Sequence, residues 1–405
     1  MPVRWRDAMS QALYGPGGFF VSGPGPAGHF RTSVHASQAF ASALFRLVSR
    51  LDADLGFPTP FHVVDVGAGR GELLLALAGL AGSEASEAGD EATGSAVGGS
   101  GETTPAATRP SPSRPSPVPL AHRVRLTAVE KAPRPDGLPA EIDWVDEIPD
   151  RITGLLVATE WLDNVPLDLA MPTGNCWRYL LVDPKTGKET PGEPLTPEDT
   201  AWIAHWWPTP PSAPSPAPLI KKFTSGKGPD SDANLLINGA ERWEGVEGAV
   251  GVGRVEVGRV RDEAWGAAVR RVERGVALAV DYGHLRGGRP VGGTLAGYRG
   301  GRQVPPVPDG SCDVTAHVAM DSAGAAGAAA GGGAYTLVGQ REALRALGAD
   351  GGRPPLSLAA TDPARYVRAL AAASAVAELT DPAGLGGHRW LLQPVGVTIH
   401  PLMAR

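Results

Sequence analysis

The chain has 405 residues, with 37 Lys plus Arg against 43 Asp plus Glu and a net charge of −6, a balance unlike that of a nucleic-acid binder. That length gives room for a core domain of about 200–250 residues with smaller additions. No run of about eighteen apolar residues argues for membrane insertion, and two cysteines, Cys176 and Cys312, argue against a disulfide framework or zinc site and for a reducing cytoplasm.

In chain order, "MPVRWRDAMSQALYGPGGFF" has charges but no apolar signal core, so it reads as mature protein. Residues 1–60 form an expected N-terminal lid with helices. "FHVVDV" (61–66) is a short apolar run stopped by glycine, as in a buried parallel strand, and "ELLLALAG" after it is helical. Residues 81–119 are small, polar and Pro/Ser-rich, the composition of a disordered insertion within a core unit spanning 61–170. "VRLTAV" (124–129) and "GLLVAT" (154–159) repeat the buried-strand pattern.

Residues 171–275 read as an inserted substrate region. "LTPEDTAWIAHWWP" there has Thr196 as N-cap and Pro197 at the first helical position. Trp202, Trp206 and Trp207 suit a domain contact, and "PTPPSAPSPAP" (208–218) an extended linker. "DEAWGAAVRRVERG" (262–275) reads as a helix ended by Gly275. The remainder of the core, 276–405, holds the strand "VALAVD" (276–281), a loose connection at 322–334 and one or two closing strands in "HRWLLQPVGVTIH". Strands alternating with helices predict a doubly wound, Rossmann-like α/β sheet with an added substrate domain, and ligands at the carboxyl ends of the strands.

The loop "DVGAGRGE" separates several ligand classes. A dinucleotide loop needs G-x-G-x-x-G, but the glycines are Gly67, Gly69 and Gly71, with glutamate at 72. A P-loop would need Gly-Lys-Ser/Thr. Alternate glycines let the backbone pass close to a ligand, and Asp65 offers a carboxylate to a cationic group. A nucleoside also needs a carboxylate at the end of the next strand. Glu130 lies 59 positions beyond Gly71, and 20 remain once residues 81–119 are set aside, the spacing expected of such a unit. The pattern favours S-adenosyl-L-methionine (SAM), with Asp65 toward the methionine end and Glu130 on the ribose. A tight strand–helix connection is the plainer alternative.

Eight stretches, in order to about residue 318, resemble the MidA-like class I SAM-dependent methyltransferases. They are "ALYGPGGFFVSG", "GHFRTSVHAS", "DVGAGRGELL", "VEKAP", "ATEWLDNVP", "AVDYGH", "GTLAGY" and "CDVTAHV". Mitochondrial members assist respiratory complex I assembly and methylate a protein arginine. The resemblance therefore implies a protein substrate, such as a respiratory-complex subunit. Glu160, Asp163, Asp281, Thr32, Ser33, Thr315 and His317 are kept, whereas His29, Thr159 and, in "HVAM", Ala319 and Met320 depart from the family pattern. Few lysines amid Arg, Ala and Gly point to a bacterium with a GC-rich genome.

Methyl transfer is an in-line displacement in which the enzyme aligns the reactants, excludes water and handles one proton. An arginine acceptor arrives protonated, so carboxylates must hold its fork. Glu160 and Asp163, after the third clear strand, are the catalytic candidates, with capping or salt bridging as the alternative. Thr32 and Ser33 would close over the cofactor, or form an ordinary lid contact. His317 would orient the acceptor or take a proton, unless it is a packing residue. Tyr282 would line the acceptor channel. The rival functions are methylation of a small molecule or an oxygen nucleophile, a SAM-binding assembly protein with little turnover, and more distantly a dinucleotide oxidoreductase.

Overall fold

Within Phe61–Val66, Val63 faces one side of its sheet and Val64 the other. Both are fully buried, so the strand needs cover on two faces. The computed structural model describes residues 1–22, 33–36, 38–94, 118–174, 176–208 and 253–398, and in it helices supply that cover. The sheet contains β1 (Phe61–Val66), β2 (Val124–Val129), β3 (Ile142–Val145), β4 (Ile152–Thr159), β5 (Val272–Asp281), β6 (Thr336–Gly339) and β7 (Arg389–Val395). Across it the order is β3-β2-β1-β4-β5-β7-β6. β7 runs opposite to the other six strands, antiparallel to both β5 and β6, and every other pairing is parallel. The sheet is doubly wound, and its order reverses between β1 and β4, the crevice where such sheets bind ligands.

Besides α1 (Trp5–Tyr14), the helices that matter here are α2 (Gln38–Asp54), α3 (Glu72–Gly94), α4 (Pro197–Trp206), α5 (Arg259–Arg270) and α6 (Met320–Ala329). Leu44, Leu47 and Leu51 of α2 recur at helical spacing and pack with Leu73, Leu74 and Leu77 of α3 under Val63, Leu155 and Leu278. On the opposite face Trp265, Ala268 and Val269 of α5 meet Met320 and Ala323 of α6 over Val64, Leu156 and Ala279. No helix among the described residues is long and apolar enough to cross a membrane.

Three sequence expectations change. Gly275 does not end a helix: α5 stops at Arg270, and Gly275 lies inside β5 at φ 143°, paired with Gly154 of β4. A Cβ on Gly275 would come 1.9 Å from the Gly154 carbonyl oxygen, so close strand approach explains the residue. The stretch 322–334 is not wholly a loose connection, because α6 occupies it to Ala329. Alanine favours helix, and a Cβ on Gly327 would lie 2.8 Å from Trp265 Nε1, so the small residue lets α6 sit down on α5. Helix α3 also continues to Gly94, past residue 81 where composition alone ends it, since no proline interrupts those Ala-, Ser- and Glu-rich turns. Residues 95–117 of the expected insertion, and 209–218 of the Pro-rich linker, lie outside the described residues.

Between β4 and β5 the chain builds most of a second, antiparallel sheet from Asp168–Thr173, Cys176–Val182, Glu189–Pro194 and Val255–Val257, joined by Val3–Arg4. Helix α4 begins as its sequence predicts, with Thr196 Oγ1 accepting from the Asp199 N–H at 3.2 Å. It packs Trp202 and Ile203 against Ala170, Tyr179 and Val255. Trp207 joins that core and Trp206 borders it, as expected of a packing contact. On another side α1 sets Trp5, Met9 and Leu13 against Leu169, Leu180 and Val314. This places α1 and the segment around residue 314 beside the carboxyl ends of the core strands.

Candidate functional site

At the end of β1 the chain turns through three glycines that all lie in the left-handed region, at φ 74° for Gly67, 61° for Gly69 and 86° for Gly71. Their surroundings differ. A Cβ on Gly67 would press on Trp161 at 3.3 Å, and one on Gly71 would meet Leu138 Cδ1 at 2.9 Å. A Cβ on Gly69 would find only Glu72 Oε2, at 3.4 Å. Gly67 and Gly71 therefore serve the packing of the loop, while Gly69 borders open space.

The loop is tied to the end of β2. The N–H of Gly67 donates to the Val129 carbonyl at 2.9 Å, and the N–H of Gly69 donates to Glu130 Oε2 at 3.1 Å. Glu130 Oε1 in turn accepts from the N–H groups of Lys131 (2.7 Å) and Ala132 (3.2 Å), which fixes the carboxylate at the rim. Asp65 is buried beneath the loop. Burial pushes its carboxyl up to about 8, and the nearby charges of Glu130 and Glu72 push the same way. Such a group is ready to ionise against an incoming cation.

Across the crevice, Glu160 follows β4 in a left-handed conformation, φ 52°, uncommon for a side chain with a Cβ. Its N–H donates to the Val280 carbonyl at 2.8 Å, and its Oε1 accepts from the Ser33 N–H at 3.2 Å. Asp281, at the end of β5, accepts from the N–H groups of Leu162 (3.0 Å) and Asp163 (3.2 Å) through Oδ2, capping the short turn that carries Asp163. Asp163 Oδ2 accepts from the Thr315 hydroxyl at 2.7 Å. Burial raises the Asp163 carboxyl to about 6; the Thr315 hydrogen bond opposes the shift, and the charge of Glu160 adds to it. Asp281 is held well above the ordinary carboxylate range by burial and by Asp163, and Asp313, bonded at 2.8 Å by Asn164 Nδ2, is held up for the same reasons.

One buried cation organises these acids. Arg261 of α5 donates to the carbonyl groups of Val165 (3.0 Å), Ala316 (2.6 Å), His317 (3.2 Å) and Asp163, joining the Asp163 turn to the segment at 315–317. His317 is aligned by its N–H on Thr294 Oγ1 (2.7 Å), and Thr294 is itself held by the buried carboxylate of Glu256. Its ring stacks on Tyr282 at 5.8 Å, and burial lowers its pKa to about 4. A neutral ring of such low basicity suits orientation better than proton acceptance. Tyr14 reaches over from α1 and donates its hydroxyl to the Asn164 carbonyl at 3.3 Å.

The structure thus brings Asp65, Gly67, Gly69, Gly71 and Glu130 together on one side of the crevice, and Glu160, Asp163 and His317 on the other. Ser33 sits with the second group, bonded to Glu160 and Gln340, rather than over the glycine loop. Thr32 and His29 lie outside the described residues. Sequence reasoning missed Arg261, His388 and Gln340, and passed over Tyr14 although it stands in the quoted "ALYGPGG". Four buried polar atoms cluster near Glu160 without a hydrogen-bond partner: Thr159 Oγ1, Asp163 Oδ1, Asp281 Oδ1 and His388 Nε2. The hydroxyl and the two carboxyl oxygens can each accept a hydrogen bond from a ligand, and so can the imidazole when Nε2 carries no proton.

Residues 119–336 match the family model described as "Putative S-adenosyl-L-methionine-dependent methyltransferase". Among solved structures, a COG1565 superfamily protein from Burkholderia thailandensis bound to S-adenosyl-homocysteine aligns with a TM-score of 0.66 and 21% identity, over 98% of this chain and 89% of that one. A native crystal structure of a COG1565 superfamily protein from the same organism gives 0.64 and 20%, over 100% and 90%. At these identities the likeness concerns the fold. No curated protein matches the sequence.

Proposed function

We propose that this chain, which belongs to the S-adenosyl-L-methionine-dependent methyltransferase family matched above, transfers the methyl group to a protein arginine side chain in the cytoplasm of a bacterium, as a MidA-like member of that family. The cofactor is SAM. The residues at the glycine loop fit it: a rim carboxylate already oriented at Glu130 suits two ribose hydroxyls, open space at Gly69 admits a close ligand, and buried Asp65 suits an ammonium group. Bound there, the cofactor supplies an electrophilic methyl on a sulfonium. Trp161 lies where a Cβ on Gly67 would point, 3.3 Å from that position, so the loop and the Glu160 turn are neighbours across the crevice.

The observation that carries the acceptor assignment is the cluster of carboxylate oxygens around Glu160, with Asp163 Oδ1 and Asp281 Oδ1 buried and unpartnered. A buried carboxylate oxygen lacking a donor is costly. A guanidinium offers five N–H groups in a planar fork, which would satisfy several at once and lower the pKa values that burial has raised. Glu160 would hold one guanidinium nitrogen toward the methyl and take its proton, while Asp163 and Asp281 hold the rest of the fork. The second sheet and the segment at 313–317 would then form the protein-binding side, taking a partner such as a respiratory-complex subunit. Methylation of a small molecule needs no such set of acids.

Mass spectrometry of proteins from a deletion strain tests this reading. It expects arginine methylation to disappear from a small set of peptides and return with the intact gene. Unchanged arginine methylation would favour a small-molecule acceptor or a SAM-binding assembly protein.

A further inference from the structure

His388 immediately precedes β7 and is fully buried. Its Nδ1 lies 2.6 Å from the Leu385 carbonyl oxygen, which can only accept, so Nδ1 carries a proton and donates it. The backbone on either side is also fixed. The His388 N–H donates to that same carbonyl at 3.1 Å, and its own carbonyl accepts from the Gln340 N–H at 2.9 Å. The Tyr282 ring lies against the imidazole, with centroids 3.9 Å apart. The ring therefore has one uncommitted polar atom, Nε2, which is buried, unpartnered and 3.5 Å from Glu160 Oε1.

We propose that His388 is the positioning residue for Glu160, holding Oε1 through a proton on Nε2 so that Oε2 is presented to the methyl acceptor. This rests on reading Glu160 as the acceptor-side carboxylate. Two contacts converge on Oε1, the Ser33 N–H at 3.2 Å and His388 Nε2 at 3.5 Å. With a proton on Nε2 and a charge on Glu160, the second contact closes toward the ~2.8 Å of a charge-assisted hydrogen bond. A glutamate in a left-handed backbone has few supports of its own, and His388 supplies the one that comes from the far end of the chain. Other titratable groups near the ring are Asp163 from the turn after β4, Tyr282 after β5, and His317. Arg389, the next residue, turns away to donate to the Gly283 carbonyl.

Histidine-selective 15N labelling of the full chain, with and without Glu160→Gln, tests this directly. Nδ1 of His388 should appear protonated in both proteins, and the protonated fraction of Nε2 at neutral pH should be clearly higher with Glu160 than with Gln. His388→Gln should lower kcat for methyl transfer at least about tenfold, as expected for a misplaced catalytic group, with SAM affinity by calorimetry unchanged. An Nε2 signal that ignores Glu160→Gln, or full kcat in a folded His388→Gln protein, overturns the proposal. If His388→Gln does not fold, the labelling comparison decides alone, because both of its proteins keep His388. Absence of any arginine methylation by wild type would overturn the acceptor reading and leave the nitrogen spectra to judge this one.

Discussion

On one side of the crevice, Asp65 from the end of β1 and Gly67, Gly69 and Gly71 from the turn after it lie within seven consecutive residues, and Glu130 joins them from just after the neighbouring strand. On the other, Glu160 and Asp163 follow β4, Asp281 ends β5, Arg261 comes from α5, Thr315 from a third segment and His388 from just before β7. The first side is a local device, whose backbone shape is dictated by glycines in the order they are written. The second is a meeting of distant segments, in which each acid is held by something far along the chain. A site of the first kind tolerates change elsewhere in the molecule. A site of the second kind depends on the whole fold and can be dismantled from outside the crevice.

Removing the cation that joins the distant segments should have the largest effect. Arg261→Leu strips the donors from four carbonyls and leaves buried Asp163 and Asp281 uncompensated. Urea unfolding should show a loss of about 3–5 kcal/mol. A loss under about 1 kcal/mol would mean that the acceptor side stands without its cross-link.

Asp65 tests the glycine side through pH. Its carboxyl is held up to about 8, so the folded protein keeps a proton that the unfolded chain releases near 4. Stability contributed by this site is thus whole below about 4 and is lost as pH rises through about 8. Asp65→Asn should remove that slope and leave the variant more stable than wild type above pH 8. Parallel pH profiles for the two proteins would show that Asp65 is ionised in the free fold.

Next in size is the rim. Glu130→Ala should weaken SAM binding by about 1–3 kcal/mol through loss of charged hydrogen bonds, read by calorimetry, with the acceptor side untouched. Equal weakening by Arg261→Leu in a folded sample would show that the two sides are not independent. The smallest effect is expected from the polar, Pro/Ser-rich stretch: replacing residues 95–117 with a short Gly/Ser linker should leave SAM affinity unchanged, since loop length enters stability only logarithmically. Loss of folding there would assign those residues a structural role.

The same contrast explains what could be read in advance. β1 and β2 end where the apolar runs "FHVVDV" and "VRLTAV" end, because a continuous buried strand and a following glycine or acid are written in consecutive residues. The Thr196 cap was legible for the same reason. Gly275 was not, because its purpose is the Gly154 backbone on the neighbouring strand, and a glycine after an amphipathic run looks like a helix end. Arg261 stands among charges in "RVRDEAW" and resembles a solvated helix face, yet its guanidinium is buried on carbonyls from segments that no local pattern links to it. His388 looks like the polar start of a closing strand, and its partner Glu160 lies on the other half of the chain. The alternate glycines mark the crevice, but which of them borders open space depends on Trp161 and Leu138 arriving against the other two.

Methyl transfer from labelled SAM into an extract of cells lacking the protein is the most direct measurement, made with wild type, Glu160→Gln and Asp163→Asn at matched SAM affinity. Wild type should label a protein band whose label resides in methylarginine. Glu160→Gln should lower that rate at least about 10²-fold, the low end for lost acid–base assistance, and Asp163→Asn somewhat less. Labelling by both variants at the wild-type rate would contradict the arginine mechanism, and no labelling by a wild type that binds SAM would contradict turnover on protein altogether.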